Sequence, residues 1–175
     1  MTSNPHFEGN PDLFYCDKNL QKTKIYPGAL SIVWGNDGRY WKPIKQTKPS
    51  YADGEMPPAE LIQVNWLEVT GSVEVKRNRR YSIQFQVSLT QDAFGWGNSP
   101  VYFMAKRDGC SKSQVIWRKC SLSSMTAGRK IYVPGNLVID SGNALQLQFG
   151  LYEVWTGKWK GGLKIHHVLV EPAAL

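Results

Sequence analysis

RYSIQFQVSL, residues 80–89, decides the fold class. Tyr81, Ile83, Phe85, Val87 and Leu89 alternate with Ser82, Gln84, Gln86 and Ser88. Successive side chains of an extended strand point to opposite faces, so this segment has one apolar face and one polar face. The spacing predicts a half-buried antiparallel strand with a core on one side only. Downstream, ALQLQFGLYEV (144–154) repeats the alternation, with Leu145, Leu147, Phe149 and Leu151 expected inward. VYFMAK (101–106), QVIWRKCSL (114–122), RKIYV (129–133), NLVID (136–140) and LKIHHVLV (163–170) read as further strands, and ALSIVWG (29–35) as a short first one. LIQVNWLEVTGSVEV (61–75) suits two strands or one bent strand, with Gly71 the expected bulge or kink. No segment of ten or more residues carries a helical period. Short strands at close spacing predict an all-β sandwich or barrel.

A chain of 175 residues is most simply one domain with a core of its own. Residues 1–28 are polar and rich in Pro and Gly, and read as a flexible N-terminal arm ahead of a domain over 29–175. Residues 46–59 read as a loop. The formal net charge of +7 favours acidic partners such as nucleic acid or anionic glycans, or simply solubility. The first sixteen residues lack the basic and apolar regions of a secretory leader. No window approaches eighteen apolar residues, so no membrane span is expected. Cys16, Cys110 and Cys120 form no closed disulfide set. A cytoplasmic or nucleocytoplasmic home is expected.

Catalytic and metal chemistry find little support. No nucleophile elbow, phosphate-cradling glycine loop or dinucleotide fingerprint is present. Asp92, Asp140 and Glu153 are linked by no glycosidase spacing. His166 and His167 are neighbours on one strand, so they are expected on opposite faces, and Cys110 and Cys120 lack zinc spacing. No cofactor is expected. The KRNRR turn (76–80), with Lys42, Lys45 and Lys48, offers cations for phosphate, which keeps RNA as an alternative partner, although a charged turn of this kind is usually just a solvated hairpin turn.

The seven tryptophans are the stronger lead. Trp66 and Trp117 lie inside predicted strands and are expected in the core. Trp96, in the loop sequence FGWGN, can cap the domain or reach a ligand. Trp34 and Trp41 flank a tight turn at Asn36-Asp37-Gly38. Trp155 and Trp159 lie in the last loop beside Glu153, Lys158 and Lys160. A sandwich gathers its loops at two ends, so the first-strand and last-loop tryptophans can meet at one rim. Indole faces beside charged groups suit an amphipathic ligand such as a sugar, whose C–H face lies on the ring.

LSIVWGNDGRYW (30–41), AELIQVNWLEVTG (59–71), YSIQFQV (81–87), FGW (94–96) and LQFGLYEVWTGKWKGGLKIHHVLVEP (147–172) together resemble the phloem protein 2 family, the plant lectins related to Nictaba. The resemblance spans about residues 29–172. It implies two antiparallel sheets packed as a jelly-roll-like β-sandwich, a non-enzymatic lectin that binds N-acetylglucosamine oligomers and N-glycan cores, a homodimer, and a place in the cytoplasm, nucleus or phloem sieve elements. It also implies carbohydrate-binding roles for Trp34, Trp41, Glu153, Trp159 and Lys160. One departure stands out: where the Nictaba branch has a second carboxylate seven residues before the glutamate, this chain has Gln146. An amide hydrogen-bonds a hydroxyl without the assistance of charge.

Overall fold

The computed structural model describes residues 4–19, 21–46 and 54–174. Among them are β1 (Phe14–Asp17), β2 (Lys22–Ile25), β3 (Ser31–Ile32), β4 (Ala59–Glu60), β5 (Leu67–Glu74), β6 (Arg80–Phe94), β7 (Val101–Arg107), β8 (Ile116–Cys120), β9 (Ile131–Val133), β10 (Val138–Asp140), β11 (Gln146–Glu153) and β12 (Gly161–Pro172). They form two antiparallel sheets. One runs β3-β5-β11-β7-β8; the other runs β1-β2-β12-β6-β10, with β4 also on β12 and β9 also on β6. This is the all-β sandwich that the alternation in 80–89 predicts.

The core lies between the sheets. Tyr81, Ile83, Phe85, Val87 and Leu89 of β6 are all buried, facing Leu147, Phe149 and Leu151 of β11. Phe85 stands edge-on to Phe103 at 5.5 Å and to Phe149 at 5.8 Å, which joins the two layers ring to ring. Each such side chain contributes about 1.5–3 kcal/mol by leaving water.

Several expectations are corrected. Gly71 makes no bulge or kink, because β5 pairs with β11 in unbroken register from Leu67 to Glu74. A Cβ at Gly71 would meet the Phe149 ring at 2.7 Å, so the glycine makes room for that ring. Leu145 lies just before β11 and is exposed. The segment read as a flexible arm is built into the fold over its described residues. Phe7 exchanges backbone hydrogen bonds with Ile32 at 2.9 Å each way, β2 pairs with β12, and Leu13, Ile25 and Tyr26 are buried. Residues 1–3, and residues 47–53 of the predicted loop with Lys48 among them, lie outside the described residues.

A bulge corrects the reading of the histidines. The register of β12 on β6 shifts between Ile165 and His167, so the alternation loses a step at His166. Both imidazoles consequently face away from the core. His166 Nε2 lies 2.8 Å from Ser88 Oγ, and His167 Nε2 lies 3.1 Å from Tyr132 Oη.

Candidate functional site

One end of the sandwich gathers the turn after β3, the segment before β5, the end of β6 and the loop between β11 and β12. The turn carries Trp34, Tyr40 and Trp41. Trp34 has φ +64°, a left-handed conformation that is uncommon and costly for a bulky residue. The turn is held on both sides. His6 Nδ1 accepts the Trp34 backbone N–H at 3.0 Å. Asn36 Nδ2 donates to the carbonyls of Asn4 and His6, both at 3.0 Å. Asp37 accepts from the Arg39 backbone and guanidinium, with Arg39 Nη2 at 2.7 Å. The hydrogen bond from the Arg39 side chain is the main reason that the Asp37 carboxyl ionises at about 2 rather than 3.8. The Arg39 guanidinium in turn lies 5.1 Å from the centre of the Tyr40 ring.

These restraints align a row of rings. His6 and Trp34 are 4.9 Å apart, Trp34 and Tyr40 5.8 Å, and Tyr40 and Trp159 6.2 Å. Tyr40 and Trp159 lie within 27° of parallel. Trp159 is 47% exposed, and Trp34 and Tyr40 are partly buried against the core. The first-strand turn and the last loop therefore meet at one rim, as the sandwich geometry predicts. Tyr40 and His6 were not among the expected residues. The RYW sequence places Tyr40 between charge and indole, but nothing local reveals that its ring reaches across to Trp159.

The other three expected residues lie beneath this row. Trp41 is 1% exposed, bridged through its backbone to Leu61, and among the described residues its indole N–H has no acceptor. Glu153 and Lys160 are both buried and paired with each other. Lys160 Nζ also donates to the carbonyls of Asn65 at 3.0 Å and Lys158 at 3.1 Å. All three ammonium protons are thus used. Glu153 Oε1 accepts the Thr156 backbone N–H at 3.1 Å. The carbohydrate-binding roles expected of Trp41, Glu153 and Lys160 are therefore corrected, because none of the three presents an accessible surface. The pair instead ties the loop 154–160 to the segment before β5.

The remaining tryptophans also differ from expectation. Trp66 and Trp117, expected in the core, are each 45% exposed: Trp66 lies in the bend just before β5, and Trp117 points outward from the edge strand β8. Trp96 is a cap: it is buried and its indole N–H donates to the Gly161 carbonyl at 2.9 Å, bracing the start of β12. Gln146 opens β11 while Glu153 closes it, so the two side chains sit at opposite ends of the strand. The cations of residues 76–80 lie at the β5–β6 turn, at the end remote from the aromatic row, and Lys42 is paired with Glu60 at 2.9 Å.

The sequence from residue 21 to 172 matches the family model described as phloem protein 2. The chain is 36% identical over 171 residues to phloem protein 2-like A9 of Arabidopsis thaliana, an alignment covering 89% of each. It is 26% identical over 163 residues to a lectin of Coccinia grandis, covering 84% of this chain and 92% of that one. Among solved structures, the C-terminal CBM6 of a marine laminarinase from Zobellia galactanivorans aligns with 86% of this chain and 98% of its own, at 13% identity and a TM-score of 0.43.

Proposed function

This chain belongs to the phloem protein 2 family, and from that premise we propose that it is a non-enzymatic lectin that takes N-acetylglucosamine-containing glycans at the aromatic rim. The observation that carries the reading is the exposed Trp159 indole backed by Tyr40, with Trp34 next in the row. Tyr40 covers one side of Trp159 and leaves a flat apolar surface on the other. A pyranose C–H face lies on such a surface while its hydroxyls and acetamide stay solvated or meet polar rim groups. In this proposal Trp34 and Trp159 touch the sugar, and Trp41, Glu153 and Lys160 act as positioning residues.

Binding of this kind exchanges water hydrogen bonds for protein ones. The expected net gain is about 4–8 kcal/mol per site, which is millimolar to micromolar affinity. A homodimer would raise avidity without new contacts. The family and the Coccinia lectin support carbohydrate binding as the class; the acetylated sugar and a phloem or nucleocytoplasmic setting are part of the proposal. Among the described residues no helix is long and apolar enough to cross a membrane. The rival RNA reading is less well supported, because the KRNRR cations lie at the opposite end of the sandwich from the aromatic row and Lys42, at the near end, is paired with Glu60.

A glycan array probed with the purified chain and competed with chitotriose tests the proposal. Binding should concentrate on N-acetylglucosamine-bearing glycans, fall with competitor, and hold between 50 and 200 mM salt. Phosphate-driven binding would lose several orders of magnitude over that range. An array with no chitotriose-sensitive signal would remove the reading.

A further inference from the structure

A second aromatic cluster lies away from the rim, on the outward face of the β3-β5-β11-β7-β8 sheet. Tyr102 is an outward residue of β7, and Trp117 of β8 pairs with outward Met104. Tyr152 is outward on β11, opposite both Tyr102 and Glu68. Trp155, from the loop that follows β11, leans over them. Its ring stands nearly perpendicular to Tyr102 at 4.9 Å and to Trp117 at 6.2 Å, and Trp117 is 5.6 Å from Tyr152. Trp155 is 58% exposed. Soluble chains rarely leave contiguous aromatic surface open without a use for it.

The cluster has a floor and a direction. Gly150 lies beside Tyr152 on the same face, and the Tyr152 ring occupies the space a Cβ would need there. From Tyr152 the outward positions of β11 continue through Gln148 to Gln146, a run of about 20 Å at the ordinary strand rise. Thr70 and Ser72 of β5 flank that run, and Gln146 Nε2 donates to Ser72 Oγ at 3.4 Å. The face therefore leads from an aromatic corner into a strip of amides and hydroxyls.

Charge selects the occupant. The whole chain carries a formal +7, yet outward Glu68 and Glu74 offset outward Lys106 and Lys119 on these strands. A neutral face on a basic protein gives no advantage to a polyanion. Rings that meet at right angles offer one wall and one floor, which suits a stiff ring with an apolar face and a polar edge. We propose that this face is a second carbohydrate-contact surface, which takes an extended neutral pyranose chain. Trp155 and Trp117 hold one sugar, and the amide and hydroxyl strip meets the next ones. It is separate from the rim and does not depend on the rim being a sugar site.

Hydroxyl-radical footprinting of the full chain, read by mass spectrometry with and without chitohexaose, cellohexaose or mannohexaose, tests it. At least one hexasaccharide should slow oxidation of Trp117 and Trp155 threefold or more. The protection should persist in a Trp159→Ala chain, which separates this face from the rim. A Trp117→Ala/Trp155→Ala chain should bind that hexasaccharide at least tenfold more weakly and still melt cooperatively; if that variant does not fold, footprinting of the parent decides alone. Unchanged oxidation with all three sugars overturns the proposal. So does protection that rises with protein concentration alone, which would mark the face as a contact between copies, or protection by heparin only.

Discussion

The rim and the sheet face each leave indoles open, but they hold them in different ways. At the rim, Trp34 is kept in a left-handed conformation by His6 and Asn36, and Trp159 sits on a loop tied down by the buried Glu153–Lys160 pair. On the sheet face, Tyr102, Trp117 and Tyr152 are placed by strand alternation alone, and only Trp155 comes from a loop. Trp155 and Trp159 are four residues apart on the same loop yet serve different surfaces. The rim is thus a positioned constellation, sensitive to changes beneath it, whereas the face is a surface property of a sheet.

The largest expected effect comes from breaking the buried pair. Lys160→Met leaves the Glu153 carboxylate buried without its partner, and should cost about 3–5 kcal/mol in urea unfolding. Adding Glu153→Gln should recover much of that loss. Rim binding should stay impaired in the double variant, because the loop no longer has its anchor, while the strand-borne rings of the face keep their places. If the single change is silent, the pair is not what distinguishes the two regions.

Next is a direct loss of contact. Trp159→Ala should weaken binding of chitotriose by about 2 kcal/mol, as loss of a central aromatic anchor does, with the urea midpoint unchanged. Isothermal titration beside urea unfolding separates the two effects. A drop in the unfolding midpoint of the same size would make Trp159 part of the fold rather than of the site.

The smallest effect concerns the other sheet and serves as a control for both regions. Burial first, then Lys130 and Lys164, hold the His166 imidazole at about 4, against 6.5 for a free one. Between those values the unfolded chain binds a proton that the folded chain does not. Stability should therefore fall as pH drops from 6.5 toward 4. His166→Gln should flatten that part of the profile, read as the urea midpoint against pH. Sugar binding at pH 6 should be the same in the variant and the parent; a change there would tie the histidine to a site.

Much of the fold was legible because alternation reports which face is buried. The strands β6 and β11 follow directly from it, while the bulge in β12 breaks the pattern at His166. Other features were hidden for identifiable reasons. β1 and β2 are four residues each, and KTKI reads as a polar linker until β12 is there to pair with it. Lys160 and Glu153 read as solvent-facing because charges are seldom buried, and the acceptor at Asn65 is 95 residues away in sequence. Trp117 lies inside a predicted strand, as many core residues do, but the strand is a sheet edge and Trp117 shares its outward side with Lys119, which the sequence alone does not reveal. The meeting of the first turn and the last loop was legible from the sandwich itself. The partner that completes the row, Tyr40, was not.

In the proposed mode of binding, the rim indoles are open to a neutral acetylated sugar and those beneath them are not. Titrating the 15N-labelled chain with chitotriose and following its indole N–H resonances, assigned by single substitutions, puts this to the test. The account predicts shifts at Trp159 and Trp34, with Trp41 and Trp96 fixed. Stationary Trp159 and Trp34 signals at millimolar sugar would contradict it.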